Sequence, residues 1–430
     1  LPFGGIRRYH REGFAVADWL ITGCSEVVTL RGGAPRRGAA LRDLAIVKNA
    51  AVLTHQDRIA AVGPRRIIEA LPAAKRADKI DLHGRVLLPG FVDSHTHLIF
   101  HTSRMADYEL RIAGASEEKI GKSGGIQSTV DSLRKAKPDT LRQVAHGHLA
   151  QFASHGTTTI EAKSGYGLDW PSESKILKLL NELHQDEQMD ICPTFLGAHI
   201  VPTEYRKRPE AYVKRLVEKW IPEVASEGLA KFCDVYCERG AFSLSQSRRI
   251  LAAARDCGLV PRVHAEQFSR TGAAQLAIEM EAASADHLEH INRADTRALA
   301  RSNVVCTLLP GCAYHLGLRD LPPARGLIDA GAIIAIATDF NPGTSPTLSM
   351  PMILSLACTQ LRLTPAEAIA AATINPAYSL RLNDHLGSIE VGKYADFAAF
   401  DVADHREIPY YFGVNLCTLT MKRGEIVCKN

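Results

Sequence analysis

The chain has 430 residues, 46% hydrophobic and 23% charged, which is ordinary globular composition and excludes disordered and fibrous classes. Its 51 Lys and Arg stand against 47 Asp and Glu and are scattered, so a dedicated nucleic-acid surface is not expected and the slight positive excess at most favours small anionic ligands. No run approaches the ~18 consecutive apolar residues of a membrane helix.

The opening LPFGGIRRYHREGF carries charge but lacks the apolar core of a secretory signal, and no part in the fold is assigned to it. From residue 18 to 85, short β-like pieces such as ADWLITGC, LAIVKNAAVLTH and RIAAVG alternate with turns and show no long helical period. This stretch is expected to be the first part of a small β domain. Between 86 and 383 the pattern changes to apolar strand-like runs alternating with amphipathic helical stretches, which means a parallel α/β architecture.

Eight candidate strands follow in order: RVLLPGFVDSHTH, TTTIEAKSG, DICPTFLGAH, KFCDVYCE, VPRVHAE, ASADHLEH, NVVCTLLP and AIIAIATDFN. An open doubly wound sheet is the alternative. A closed (β/α)8 barrel is favoured because nearly every strand ends in His, Glu, Lys or Asp, as expected where one site collects the carboxyl ends of all strands. In KFCDVYC, Cys233 and Cys237 share one strand face and read as small core residues. The ten cysteines include no CxxC pair, so they read as reduced thiols of a cytoplasmic protein rather than a disulfide framework or zinc ribbon. TPAEAIAAAT begins a helix, expected to be the barrel's last, with Thr364 as cap, Pro365 in the first turn and Glu367 completing a capping box. From 384 to 430, GSIEVGKYADFAAFDV and the tail return to short strands, so both chain ends should combine in one composite β-sandwich domain beside the barrel.

His95 and His97 are separated by one residue at a strand end, so both imidazoles point the same way and can hold one ion. Alone, a His-x-His is weak evidence and reads sooner as two polar residues at a strand terminus. His264, in PRVHAEQ, and Asp339, in IATDFN, also end strands and would reach the same barrel mouth. Three imidazoles and one carboxylate suit zinc or a related first-row ion with room left for a water.

LPGFVDSHTHLIF, the later HAEQ, ADHLEH and the IATDFNPGTS loop together resemble the amidohydrolase superfamily, with similarity running from about residue 18 to the C-terminus. KSGYGLD and FLGAH resemble, within it, the subfamily that opens the imidazolone ring during histidine breakdown. The resemblance implies one divalent ion, Zn or Fe, held by His95, His97, His264 and Asp339. It places His287 beside the activated water, where it and Asp339 are the catalytic residues that move protons; His290 falls outside the site. The implied reaction hydrolyses the ring amide of 4-imidazolone-5-propanoate to N-formimidoyl-L-glutamate, and a homodimer is implied as well.

Positions matching the family's substrate contacts are Arg104, Tyr166, His199, Asn341, Gly343 and Thr344. Arg104 is suited to clamp a carboxylate, because its planar guanidinium offers two parallel donors that Lys cannot imitate. Tyr166 sits between glycines in SGYG, where a loop can bring its ring to a ligand. Two departures stand out: Gln267 occupies a position where many relatives carry Glu, so it is read as a binding residue, and His101 replaces a usually small residue. Lys163 and Glu238 invite a bridged two-metal reading, but Lys163 lies on the second strand, the wrong place for such a bridge, which leaves Glu238 as its only candidate. The rival functions are a deaminase of a small heterocycle, which needs no carboxylate clamp, and a non-catalytic barrel, which has no reason to retain all four ligands.

Overall fold

The structure is a computed structural model that describes residues 17–115, 119–121, 124–186 and 189–430, so the opening LPFGGIRRYHREGF lies outside the described residues. Eight parallel strands form one sheet in strictly sequential order. They are β6 (Phe91–Asp93), β7 (Thr157–Lys163), β8 (Asp190–Ala198), β9 (Phe232–Cys237), β10 (Val260–Ala265), β11 (Ser284–His287), β12 (Val305–Leu308) and β13 (Ile333–Ile336). Each of the eight candidate runs supplies one strand of this sheet. Helices follow between them because each parallel crossover must return the chain over a sheet face.

The sheet closes where β6 and β13 run out. Asp339 N donates to His95 O at 3.1 Å and His97 N donates to Phe340 O at 2.8 Å. Beneath them Asp93 accepts from Thr338 N at 3.1 Å and from its hydroxyl at 2.6 Å, fastening the first strand to the last. The seam of the barrel therefore carries three of the four expected metal ligands.

A second, mixed sheet joins the two chain ends. It contains β1 (Trp19–Val28), β2 (Ile46–His55), β3 (Arg58–Pro64), β4 (Asp78–Asp81), β5 (Val86–Pro89), β14 (Phe397–Phe400), β15 (Cys417–Lys422) and β16 (Glu425–Lys429). Period-two alternation explains how it serves two cores. Leu87, Phe397 and Ala399 face the small domain's own interior with Ile21, Val52 and Met421, whereas Val86, Leu88, Ala398 and Phe400 face the barrel core.

Two local readings change. RVLLPGFVDSHTH is not one strand: β5 belongs to the mixed sheet and β6 to the barrel. The break falls at Gly90, where a Cβ would stand 2.3 Å from the Thr158 side chain. Both halves are wholly buried, so apolar periodicity gives no sign of the change of sheet. The capping box at Thr364 and Glu367 is present on the helix Pro365–Ala371, but a further short helix, Ile374–Ser379, follows it. Cys233 and Cys237 are both fully buried in the barrel core.

Candidate active site

His95 is the hub of the site. Its Nδ1 lies 2.7 Å from Asp286 Oδ2, and since a carboxylate only accepts, Nδ1 carries the proton and Nε2 keeps its lone pair. That Nε2 is buried and has no hydrogen-bond partner. Two groups of side chains with ligand atoms close enough to share an ion meet there: His95, His97 and Asp339, and His95, His264 and His287. His95 Nε2 is 3.5 Å and His97 Nε2 3.7 Å from Asp339 Oδ1. Ring centroids of His95 lie 5.6 Å from His97, 4.6 Å from His264 and 5.8 Å from His287. All five residues therefore converge, and His287 stands only 0.2 Å farther from the hub than His97 does, at 5.8 against 5.6 Å.

Burial pushes His95 and His97 well below the ordinary imidazole range, which keeps both neutral. Neutral imidazoles with an orphaned, buried lone pair and an adjoining carboxylate are the donor set a divalent cation requires, so the residues fit the ion. Burial also pushes Asp339 up to about 6 against the pull of His287 and His264. Burial lowers His287 as well, but Glu289, at 3.8 Å, and Asp339 outweigh it and the net shift is upward. The charges of His287 and Asp339 act on one another: His287 pulls the Asp339 carboxyl down, and Asp339 pulls the His287 imidazole up.

Backbone geometry places them. His287 has φ 81° and Asp339 φ 53°, the left-handed region that a non-glycine residue rarely occupies. Ordinary strand alternation would send Asp286 and His287 to opposite faces; the turn at His287 lets both reach His95.

A cavity of about 300 Å³ opens over this cluster and is lined by His97, His287 and Asp339. Arg104, Tyr166, His199 and Gln267 line the same space, as do Asn341 and Thr344. The Tyr166 ring, 2% exposed, packs 5.6 Å from His97 and 5.4 Å from His199. His199 stacks on His97 at 5.3 Å, and its Nδ1 donates to Gly165 O at 3.0 Å, so Nε2 is left as an acceptor. Burial lowers His199 to about 3 and keeps it neutral. Arg104 Nε donates to the buried Asp107 Oδ2 at 2.6 Å. Asn341 shapes the loop itself: its Oδ1 accepts from Gly343 N at 2.9 Å and Thr344 N at 2.7 Å. Gln267 Nε2 lies 3.5 Å from Cys312 Sγ.

Three further positions resolve. His101 turns to Ser132 Oγ at 2.9 Å and is not among the cavity's lining residues. Glu238 accepts from Phe268 N at 2.9 Å and Ser269 N at 3.1 Å, so its carboxylate serves a neighbouring loop. Lys163 is fully buried with Nζ 2.8 Å from both Glu161 and Asp234. Asp234 in turn lies 3.1 Å from His264 Nδ1. Sequence reasoning did not single out Asp286, Asp234, Asp107 or Glu173. For Asp286 and Asp234 the available cue was a carboxylate inside an otherwise apolar strand, since such a group is buried only with a partner.

The amidohydrolase family model matches residues 86–427. The chain is 46% identical over 415 residues to the imidazolonepropionase of Solibacter usitatus, covering 96% of this chain and 99% of that protein. It is 43% identical over 410 residues to that of Geobacillus kaustophilus, covering 94% and 96%. Among solved structures, the triazine hydrolase of Arthrobacter aurescens superposes with a TM-score of 0.71 at 18% identity, covering 96% of this chain and 95% of that one. An adenosine deaminase from Xanthomonas campestris with bound zinc superposes with a TM-score of 0.70 at 18% identity over 95% and 92%, a likeness of fold alone. The chain belongs to the amidohydrolase family, the metal-dependent hydrolases that such a barrel and histidine cluster define. Within it, the chain belongs with the imidazolonepropionases.

Proposed function

We propose that the protein hydrolyses the ring amide of 4-imidazolone-5-propanoate to N-formimidoyl-L-glutamate, a step of histidine degradation. The observation that carries this reading is that one cavity holds both the histidine–aspartate cluster and Arg104. A small ring with a flexible carboxylate needs both a hydrolytic centre and an anion clamp, whereas a neutral heterocycle needs only the first.

His95, His97, His264 and Asp339 would hold one divalent ion, zinc or iron. When bound, it supplies a water of lowered pKa and polarises the amide carbonyl. His287 and Asp339 take up the proton of the attacking water and deliver it to the departing ring nitrogen. Arg104 binds the propanoate through a charge-assisted, two-pronged hydrogen bond. Gln267 offers an amide to the ring's nitrogen or its N–H, and His199 presents Nε2 as an acceptor. Tyr166 covers the ring, Thr344 lines the cavity near Arg104, and Gly343 leaves room for the guanidinium.

All ten cysteines are free thiols, which fits a reducing compartment, and the cytoplasm is the location we assign. Among the described residues no helix is long and apolar enough to cross a membrane. The deciding assay follows loss of the imidazolone chromophore, with formation of N-formimidoyl-L-glutamate by the metal-loaded protein. Release of ammonia from a panel of heterocycles without turnover of this substrate would overturn the reading in favour of a deaminase.

A further inference from the structure

Glu173 carries no role in the reaction just described, yet it is a wholly buried carboxylate beside the cavity. It sits in the first turn of the helix Trp170–Asp186. A glutamate there ordinarily reaches back to the helix's own first N–H groups. This one reaches further. Its Oε1 accepts from Gly167 N at 2.8 Å and from Leu168 N at 2.8 Å. Gly165 N lies 3.2 Å from Oε1 and 3.1 Å from Oε2.

The loop is packed so closely against the start of its own helix and against Leu196 and His199 that its glycines leave no room for side chains. A Cβ at Gly167 would stand 2.6 Å from Glu173 N, and one at Gly165 would stand 2.9 Å from Leu196 O and 3.1 Å from His199 Nδ1. Gly165 has φ +103° and Leu168 φ 54°, left-handed conformations in a loop whose N–H groups converge on one acceptor. Two cavity residues depend on the result. Tyr166 is the residue enclosed by the wrapped segment, and Gly165 O is the acceptor that fixes the His199 tautomer.

We propose that Glu173 is a positioning residue for the substrate: one buried carboxylate, through the Gly165–Leu168 loop, sets both the Tyr166 ring and the acceptor nitrogen of His199 for an imidazolone-type ring. The inference rests on the substrate reading above. Glu173 touches neither metal ligand nor substrate, so it acts on binding and not on the hydrolytic step.

The test is Glu173→Gln, which keeps size but turns a double acceptor into a half donor facing N–H groups that then lose their partner. Steady-state kinetics should show KM for 4-imidazolone-5-propanoate raised about tenfold or more, with kcat within about threefold of wild type and metal content unchanged. Calorimetry with imidazole-4-propanoate, which has the side chain but no hydrolysable carbonyl, should show Kd raised by a similar factor. Combined with His199→Asn, the loss in affinity should fall short of the product of the two single losses, because part of the Glu173 effect passes through His199. Should Glu173→Gln fail to accumulate, Glu173→Asp, which keeps the charge and withdraws it by one methylene, is measured in the same way with the same expectation. A fall in melting temperature with KM and Kd at wild-type values, or losses that multiply independently in the double variant, would overturn the proposal and leave Glu173 a purely structural group. Failure of the wild-type protein to turn over 4-imidazolone-5-propanoate would instead sink the substrate reading and take this inference with it.

Discussion

Arg104 lies directly against Gly343: a Cβ built at 343 would stand 2.1 Å from Nη1 and 2.5 Å from Cζ of the guanidinium. The two residues come from opposite ends of the barrel sequence, after β6 and after β13, and the seam between those strands brings them together. The φ of Gly343 is not in the left-handed region, so its lack of a side chain answers the approach of Arg104 and not a backbone strain. Gly343→Ala should therefore fold with near-normal stability and displace the far end of a flexible side chain. We expect KM to rise about tenfold with little change in kcat, metal content or melting temperature. Unchanged KM would mean that the guanidinium is not held where substrate needs it.

Removing the guanidinium itself is the sharper test of the clamp. A charge-assisted hydrogen bond contributes about 1.5–3 kcal/mol, so Arg104→Met should cost roughly ten- to a hundredfold in kcat/KM. Wild type should strongly prefer the propanoate over a neutral amide analogue of similar size, and the variant should treat the two nearly alike. Equal preference in both proteins would remove Arg104 from the binding scheme.

The barrel was legible because strand ends carry chemistry: His97, His199, His264 and Asp339 could each be placed at a strand terminus from pattern alone, and the structure gathers them in one cavity. The supporting carboxylates were not. Asp286 precedes His287, and strand alternation assigns neighbours to opposite faces; only the left-handed backbone at His287 defeats that rule. Glu173 and Asp107 lie in helices where an acidic residue reads as solvated. The division of RVLLPGFVD between two sheets leaves no trace in hydrophobicity, since both sheets bury it completely.

His95 belongs to both groups of convergent ligand atoms, so His95→Ala should remove more of the donor set than loss of any other histidine. Metal measured by atomic absorption should fall below about a tenth of stoichiometric, turnover should vanish, and circular dichroism should retain the barrel's signature. Stoichiometric metal in a folded His95→Ala protein would refute its assignment as a ligand.

His287 presents a different case, because it stands nearly as close to the hub as His97 but is influenced by Glu289 and Asp339. His287→Asn keeps a polar group while deleting the base. Turnover should fall on the order of a hundredfold, the usual scale for lost acid–base help, with metal retained. Loss of metal together with activity would make it a fifth ligand.

The joint between the two domains makes a prediction about acid stability. Lys422, ending β15, places Nζ 2.7 Å from Asp190 Oδ2 at the start of β8 and 2.6 Å from Asp396 Oδ2 before β14. Arg423 adds a contact of 2.7 Å to Asp190 Oδ1. Burial alone would raise Asp190, but Lys422 and Arg423 overcome it and hold the carboxyl at about 2. Because the folded value lies below that of the unfolded chain, the pair stabilises the protein fully above about pH 4, and this contribution is lost as pH falls from about 4 towards 2. The shift corresponds to about 2 kcal/mol at neutral pH. Asp190→Asn should therefore lower the urea midpoint at pH 6 and lose less further stability than wild type between pH 5 and 3. Lys422→Met should be worse than either at neutral pH, by about 3–5 kcal/mol, since it leaves two buried carboxylates short of a partner. Parallel urea midpoints for wild type and Asp190→Asn across that pH range would show that this joint does not contribute to acid unfolding.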